Sequence, residues 1–201
     1  VANLSNLDIA NLGLSHLGED GGVEDFNEKS TPARQAKLWY NPCRRETLEK
    51  FDWSFARKRQ ALALHGEAPP EGVWNFRYQY PVDAIAPRYI VNPAGTQADP
   101  VPFMVEIAPA NGTRSILTDI QDAILVYTFD CEDASAFSPS FATALSYCLA
   151  WRMSPVITKK LSLTNAAGAA FTRMFNLSSA MNANAQAFDT PRDAAWVEAR
   201  R

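Results

Sequence analysis

Apolar residues recur at two different periods along the chain, and the change of period divides it. Near the start, Leu4, Leu7, Ala10, Leu14 and Leu17 stand three or four apart, the repeat of one helix face, and Gly18 sits where a left-handed residue would stop that helix. The stretch 19–29 then holds Gly21-Gly22 and five carboxylates, which reads as a loop. Ser30-Thr31-Pro32 supplies a hydroxyl cap and a first-turn proline, and Ala36, Tyr40, Cys43, Leu48 and Phe51 continue a helical stripe. Pro42 lies inside that stripe and lacks a backbone donor, so a kink or division is expected near Tyr40.

From Arg57 the period becomes two. Ala61 and Ala63 alternate with Leu62 and Leu64, and Trp74, Phe76, Tyr78 and Tyr80 alternate with Asn75, Arg77 and Gln79. Prolines punctuate the region up to Asp130, and Asn111-Gly112 is its clearest hairpin signal. Further strands are predicted over 88–91, 102–108, 114–117 and 124–130, giving a small antiparallel sheet or barrel of about five or six short strands.

Helical spacing returns at Ser138-Pro139, with Phe141, Leu145, Cys148, Leu149 and Arg152 on related faces and Ser154-Pro155 expected to bend or interrupt the helix. A last helix is predicted over 164–187, where many alanines beside Phe171, Met174, Phe175, Leu177 and Met181 suit close helix packing or an oligomer interface. The tail 189–201 carries Pro191, paired charges and one large apolar anchor, Trp196, and is expected to order only on binding. The order helix, helix, sheet, helix, helix predicts an α+β protein. In it, N- and C-terminal helices (1–56 and 134–188) form an α-helical bundle, a small antiparallel β domain (57–133) is inserted between them, and 189–201 is an extended arm.

Composition narrows the function. With 201 residues, 47% of them hydrophobic, the chain can bury a sizeable core. A formal net charge of -3 argues against a general electrostatic grip on nucleic acid, which needs a surplus of Lys and Arg on one face. Cys43, Cys131 and Cys148 are odd in number and lack metal-ligand spacing, so they are read as structural thiols. No stretch approaches the length of a membrane span and no signal-peptide pattern opens the chain, so the reading is a soluble protein made in a reducing cytoplasm, with no membrane partner.

Candidate chemistry is sparse. His16 and His65 fit no metal-binding spacing, and no nucleophile elbow, phosphate loop or dinucleotide fingerprint occurs, so no catalytic residue, metal or cofactor is expected. The densest carboxylates are Asp119, Asp122, Asp130, Glu132 and Asp133, whose spacing departs from a calcium loop. Asp119 and Asp122 are expected to shape the turn before a strand, and 130–133 to favour the positive end of the next helix. An enzyme built on Asp119 and Asp122 would require a concave pocket with convergent acids.

The block Phe51-Asp52-Trp53-Ser54-Phe55-Ala56-Arg57-Lys58-Arg59 admits two readings. Trp53 and Phe55 are either core anchors at a helix-to-strand junction, with Arg57, Lys58 and Arg59 solvated or paired to acids of a neighbouring subunit, or an aromatic and basic platform for single-stranded nucleic acid. The second reading makes 53–59 the working surface of a nucleic-acid-binding module.

The pattern Leu48-x-x-Phe51-x-Trp53-x-Phe55-Ala56-x-Lys58-Arg59-x-x-Leu62, preceded by Tyr40-Asn41-Pro42-x-Arg44, resembles the tail tubular protein A family of tailed bacteriophages. The likeness continues through Trp74-x-x-x-Tyr78-x-Tyr80-Pro81-x-Asp83, Leu117-Thr118-Asp119-Ile120-x-Asp122-Ala123, Tyr127-Thr128 and Phe137-x-Pro139-x-Phe141-x-x-Ala144-Leu145. The resemblance implies a head-to-tail adaptor, also called a connector or gatekeeper: a dodecameric homo-oligomeric ring at the head-tail junction of the virion. Such a ring lies between the portal protein and the tail nozzle protein and encloses passing double-stranded DNA without specific binding. By analogy with adaptors that embrace the portal through a C-terminal arm, Arg192, Trp196, Val197, Arg200 and Arg201 are the portal-binding candidates. Arg57, Lys58, Arg59, Asp119 and Asp122 are the subunit-interface candidates, because a ring contact joins two different complementary patches.

Overall fold

The computed structural model describes residues 4–93, 101–110 and 112–186. Its helices are α1 (Asn6–Ser15), α2 (Thr31–Glu49), α3 (Pro139–Ile157) and α4 (Leu161–Gln186). Between α2 and α3 run the strands β1 (Arg57–Ala61), β2 (Phe76–Gln79), β3 (Ala84–Ile90), β4 (Phe103–Ile107), β5 (Arg114–Thr118) and β6 (Ile124–Phe129). The fold is α+β, with helices at both ends of the described chain and all strands in the middle.

Each of the first three helices starts on a serine whose hydroxyl accepts a backbone N–H of the first turn: Ser5 from Asp8, Ser30 from Ala33 and Ser138 from Phe141. At α1 the Asp8 carboxylate also accepts the Ser5 N–H, completing a capping box. The buried face of α1 is Ile9, Ala10, Gly13 and Leu14, rotated from the expected stripe, and Leu4 stays exposed. Gly13 explains the rotation: a Cβ there would stand 3.0 Å from Leu149 Cβ, so α1 approaches α3 through its smallest residue.

Neither internal proline breaks its helix. Pro42 removes one bond to the Leu38 carbonyl, but Leu38 is 58% exposed and water can serve that group, so α2 runs unbroken over Thr31–Glu49. Pro155 falls within the last turn of α3, where little helix remains to disturb. The other three helices pack on α3, which is buried around its circumference by residues such as Phe141, Leu145, Cys148, Leu149 and Met153. Gly168 of α4 fits under the Trp151 indole, where a Cβ would come within 3.1 Å.

The strands form two antiparallel sheets, ordered β1-β6-β3 and β2-β5-β4. Single bridges, Leu64 to Tyr78 and Ile90 to Val101, join their edges at both sides, so the pairing closes on itself around Leu62, Tyr78, Ile90, Ile116, Leu125 and Tyr127. The expected sheet or barrel is thus two small sheets joined edge to edge. β3 starts at Ala84, earlier than its prolines predict, and carries Pro87 beside a register shift where the ladder is already irregular. At the β4–β5 hairpin Gly112 takes φ 68°, and Ala108 N–H donates to Thr113 O at 2.8 Å.

Candidate functional site

The junction from α2 to β1 is where the helical and β cores meet. Trp53 is 0% exposed and its indole N–H donates to the Thr47 carbonyl at 2.9 Å. Its ring centre lies 5.0 Å from Phe141, 5.2 Å from Phe51 and 6.0 Å from Phe175, so one side chain ties α2, α3 and α4 together. Phe55 packs on Phe137 and Phe141 at 5.6 and 5.0 Å. Trp53 is therefore a core anchor and cannot stack on a base, which removes the central platform of the nucleic-acid reading.

The basic residues that follow are partly used inside the chain. Arg57 makes a two-pronged contact with Asp52, at 3.0 Å from Nε and 2.7 Å from Nη2, and this bond holds its guanidinium above the usual range. Lys58 pairs with Asp83 and lies 4.6 Å over the Phe129 ring. Asp83 also accepts the Tyr127 hydroxyl at 2.9 Å, and burial together with that carboxylate pushes Tyr127 up to about 12. Arg59 projects from β1 with an exposed side chain.

Two further arginines lock the junction from either side. Buried Arg44 donates from Nη1 to Asp130 Oδ1 and to the Cys131 carbonyl, both at 2.6 Å, and its Nη2 lies 3.7 Å from Glu132. Half-buried Arg88 bonds Thr128 Oγ1 at 2.8 Å and the carbonyls that end α2. Sequence reading left Arg88 unremarked, and nothing local marks it, since its partners lie 37 to 40 residues away.

The acidic candidates separate. Asp122 sits at φ 53° in the β5–β6 turn, the turn-shaping role expected of it, whereas Asp119 accepts the Asn75 N–H at 3.0 Å and so ties the end of β5 to the segment before β2. Asp130 is drawn to Arg44 and Arg45 of α2, and Asp133 accepts the Ser135 N–H at 2.9 Å to cap a short 3-10 turn. The start of α3 is served instead by Ser138. No three His, Cys, Asp or Glu side chains among the described residues converge to hold a metal ion. Cys43, Cys131 and Cys148 are buried free thiols, with Cys131 pushed up by burial. No described helix is long and apolar enough to cross a membrane.

Away from the junction a cleft of about 520 Å³ opens beside the β4–β5 hairpin, lined by His65, Glu67, Gln79, Tyr80, Thr113 and Arg114. Neither Asp119 nor Asp122 lines it. The portal-binding candidates Arg192, Trp196, Val197, Arg200 and Arg201 lie outside the described residues. Compared with known proteins, the chain matches no family model, and no curated protein matches it either.

Proposed function

We propose that the protein is a structural virion component, a head-to-tail adaptor whose copies form a ring between portal and tail nozzle around the DNA channel. The observation that carries the reading is the role of the residues in the adaptor-like pattern. Arg44, Trp53, Tyr78, Asp83 and Tyr127 are all engaged in packing, ion pairs or hydrogen bonds that hold the junction or the β core, as befits a pattern of packing positions. In this reading the four helices form a bundle into which the β domain 57–133 is inserted, and the protein performs no catalysis.

A ring requires each copy to offer two different surfaces. With Arg57 and Lys58 bonded to Asp52 and Asp83, Arg59 is the member of the basic block best placed to reach a neighbour, and Asp119 and Asp122 supply acids at the β5–β6 turn. The net charge of -3 suits a conduit that lets duplex DNA slide, since many phosphate contacts would hold it back. The arm 189–201 docks on the portal through Trp196 as apolar anchor, with Val197 beside it and Arg192, Arg200 and Arg201 as charged contacts.

Electron microscopy of the protein with and without portal rings of the same virus tests this. Caps of ring symmetry on the portal are expected, and loss of 189–201 is expected to leave a folded subunit that no longer co-sediments with portal. Absence of any portal complex with the full chain would overturn the adaptor reading.

A further inference from the structure

The cleft beside the β4–β5 hairpin is rich in hydrogen-bond donors. The Glu67 N–H donates to His65 Nδ1 at 3.0 Å, so the neutral ring carries its own proton on Nε2, 3.4 Å from Thr113 Oγ1. The Glu67 carboxylate accepts the Ala110 N–H at 3.2 Å. The Arg114 guanidinium lies 5.0 Å over the Tyr80 ring, and among the described residues no carboxylate forms an ion pair with it. The fully exposed Val82 also lines the cleft. Arginine and tyrosine beside an exposed valine make the residue set of a protein contact, and a cation with no carboxylate partner among the described residues asks for an acidic one.

The same chain carries such a segment at its other end. The α1–α2 loop holds Glu19, Asp20, Glu24, Asp25 and Glu28 against the single Lys29. Tyr80 lies within electrostatic reach of Glu49 and Arg88 at the C-terminal end of α2, whereas the acidic loop leads into its N-terminal end. Asn27 of that loop bonds Lys37 and Phe26 packs on Tyr40, so nine further residues of α2, about 14 Å, lie between the loop and the helix end beside Tyr80.

We propose that this cleft receives the acidic α1–α2 loop of a second copy, with Arg114 facing its carboxylates. Two different complementary patches on one subunit make a head-to-tail contact that passes from copy to copy and closes into a ring if the rotation allows. The inference rests on the ring reading above and names one contact that builds the ring.

The test uses the full chain in three forms: wild type, Arg114→Glu, and Glu24→Lys combined with Glu28→Lys. All substituted side chains are exposed, and circular dichroism checks that each form folds. Sedimentation at low salt, with portal rings as template, should show self-association at least about tenfold weaker for each variant alone. An equimolar mixture of the two variants should restore it, because every contact in an alternating ring then pairs opposite charges. Wild-type association in Arg114→Glu, or no rescue in the mixture, would overturn the inference and leave the adaptor reading standing. Single copies on the portal would also overturn the inference, whereas no portal complex at all would overturn both.

Discussion

Nη2 of Arg88 donates to the Phe51 carbonyl at 2.6 Å, and the same nitrogen reaches the carbonyls of Leu48 and Glu49 at 3.0 Å. The last carbonyls of a helix have no partner within it and carry partial negative charge. No basic residue lies in the last turn of α2, so a strand side chain supplies the cap its own sequence lacks. The consequence is mechanical: α2 and β3 cannot separate without exposing these carbonyls and stranding a half-buried guanidinium.

Replacing Arg88 with alanine should therefore cost about 2–3 kcal/mol, because several half-buried acceptors lose a charged donor at once. Arg88→Lys should recover only part, since an ammonium cannot reproduce the fork that spans Thr128 and the helix end. Urea unfolding of the three forms measures this. An Arg88→Ala midpoint equal to wild type would show that the bonds contribute nothing to the junction.

Much of the element order is legible in the sequence, because caps and period are local signals. Ser30 and Ser138 announce their helices three residues ahead of the N–H they accept, and the alternation around Phe76 and Tyr78 marks β2. Prolines mislead, because the cost of a missing donor depends on where the orphaned carbonyl points, as at Pro42, and on whether the ladder is already irregular, as at Pro87. The junction's chemistry is not local at all. Arg44 and Asp130 are 86 residues apart, and a lone arginine on a helix gives no sign that it will be buried beside a carboxylate from β6's end. Trp53 lies between these cases: its place at the change of period favours a core anchor, and the competing nucleic-acid platform suggested by its neighbours Arg57 to Arg59 weakens further once Asp52 and Asp83 are seen to engage two of them.

The turn from α3 to α4 leaves room for improvement. Lys159 follows the Thr158 cap at φ 54°, a left-handed conformation in which a side chain crowds its own backbone. Lys159→Gly should raise stability by about 0.5–1 kcal/mol, the relief of that crowding outweighing a small loss of charge at the helix end. For a domain of this size the melting temperature should rise by roughly 2 °C. Lys159→Val should do the reverse, because a β-branched residue tolerates this φ least. Thermal scans that place the glycine variant below wild type would show that the turn relaxes away from the left-handed region.

Glu46 gives the junction a defined response to acid. Its Oε1 accepts from Lys50 at 2.7 Å and its Oε2 from Arg152 of α3 at 2.8 Å, so α2 and α3 are bridged through one carboxylate. Partial burial works against the charged form, but the bonds from Lys50 and Arg152 outweigh it and hold the group below the ordinary value of 4.5. A carboxylate depressed in the folded state contributes its full stability above 4.5 and loses it as pH falls through the lower folded value. Glu46→Gln should thus cost about 1 kcal/mol at neutral pH, a modest figure because the partners are partly solvated. The gap between variant and wild type should shrink steadily below pH 4.5. Denaturant midpoints measured from neutral pH to about pH 3 decide the matter, since a gap that persists or widens in acid would mean that the carboxylate's charge is not what joins the two helices.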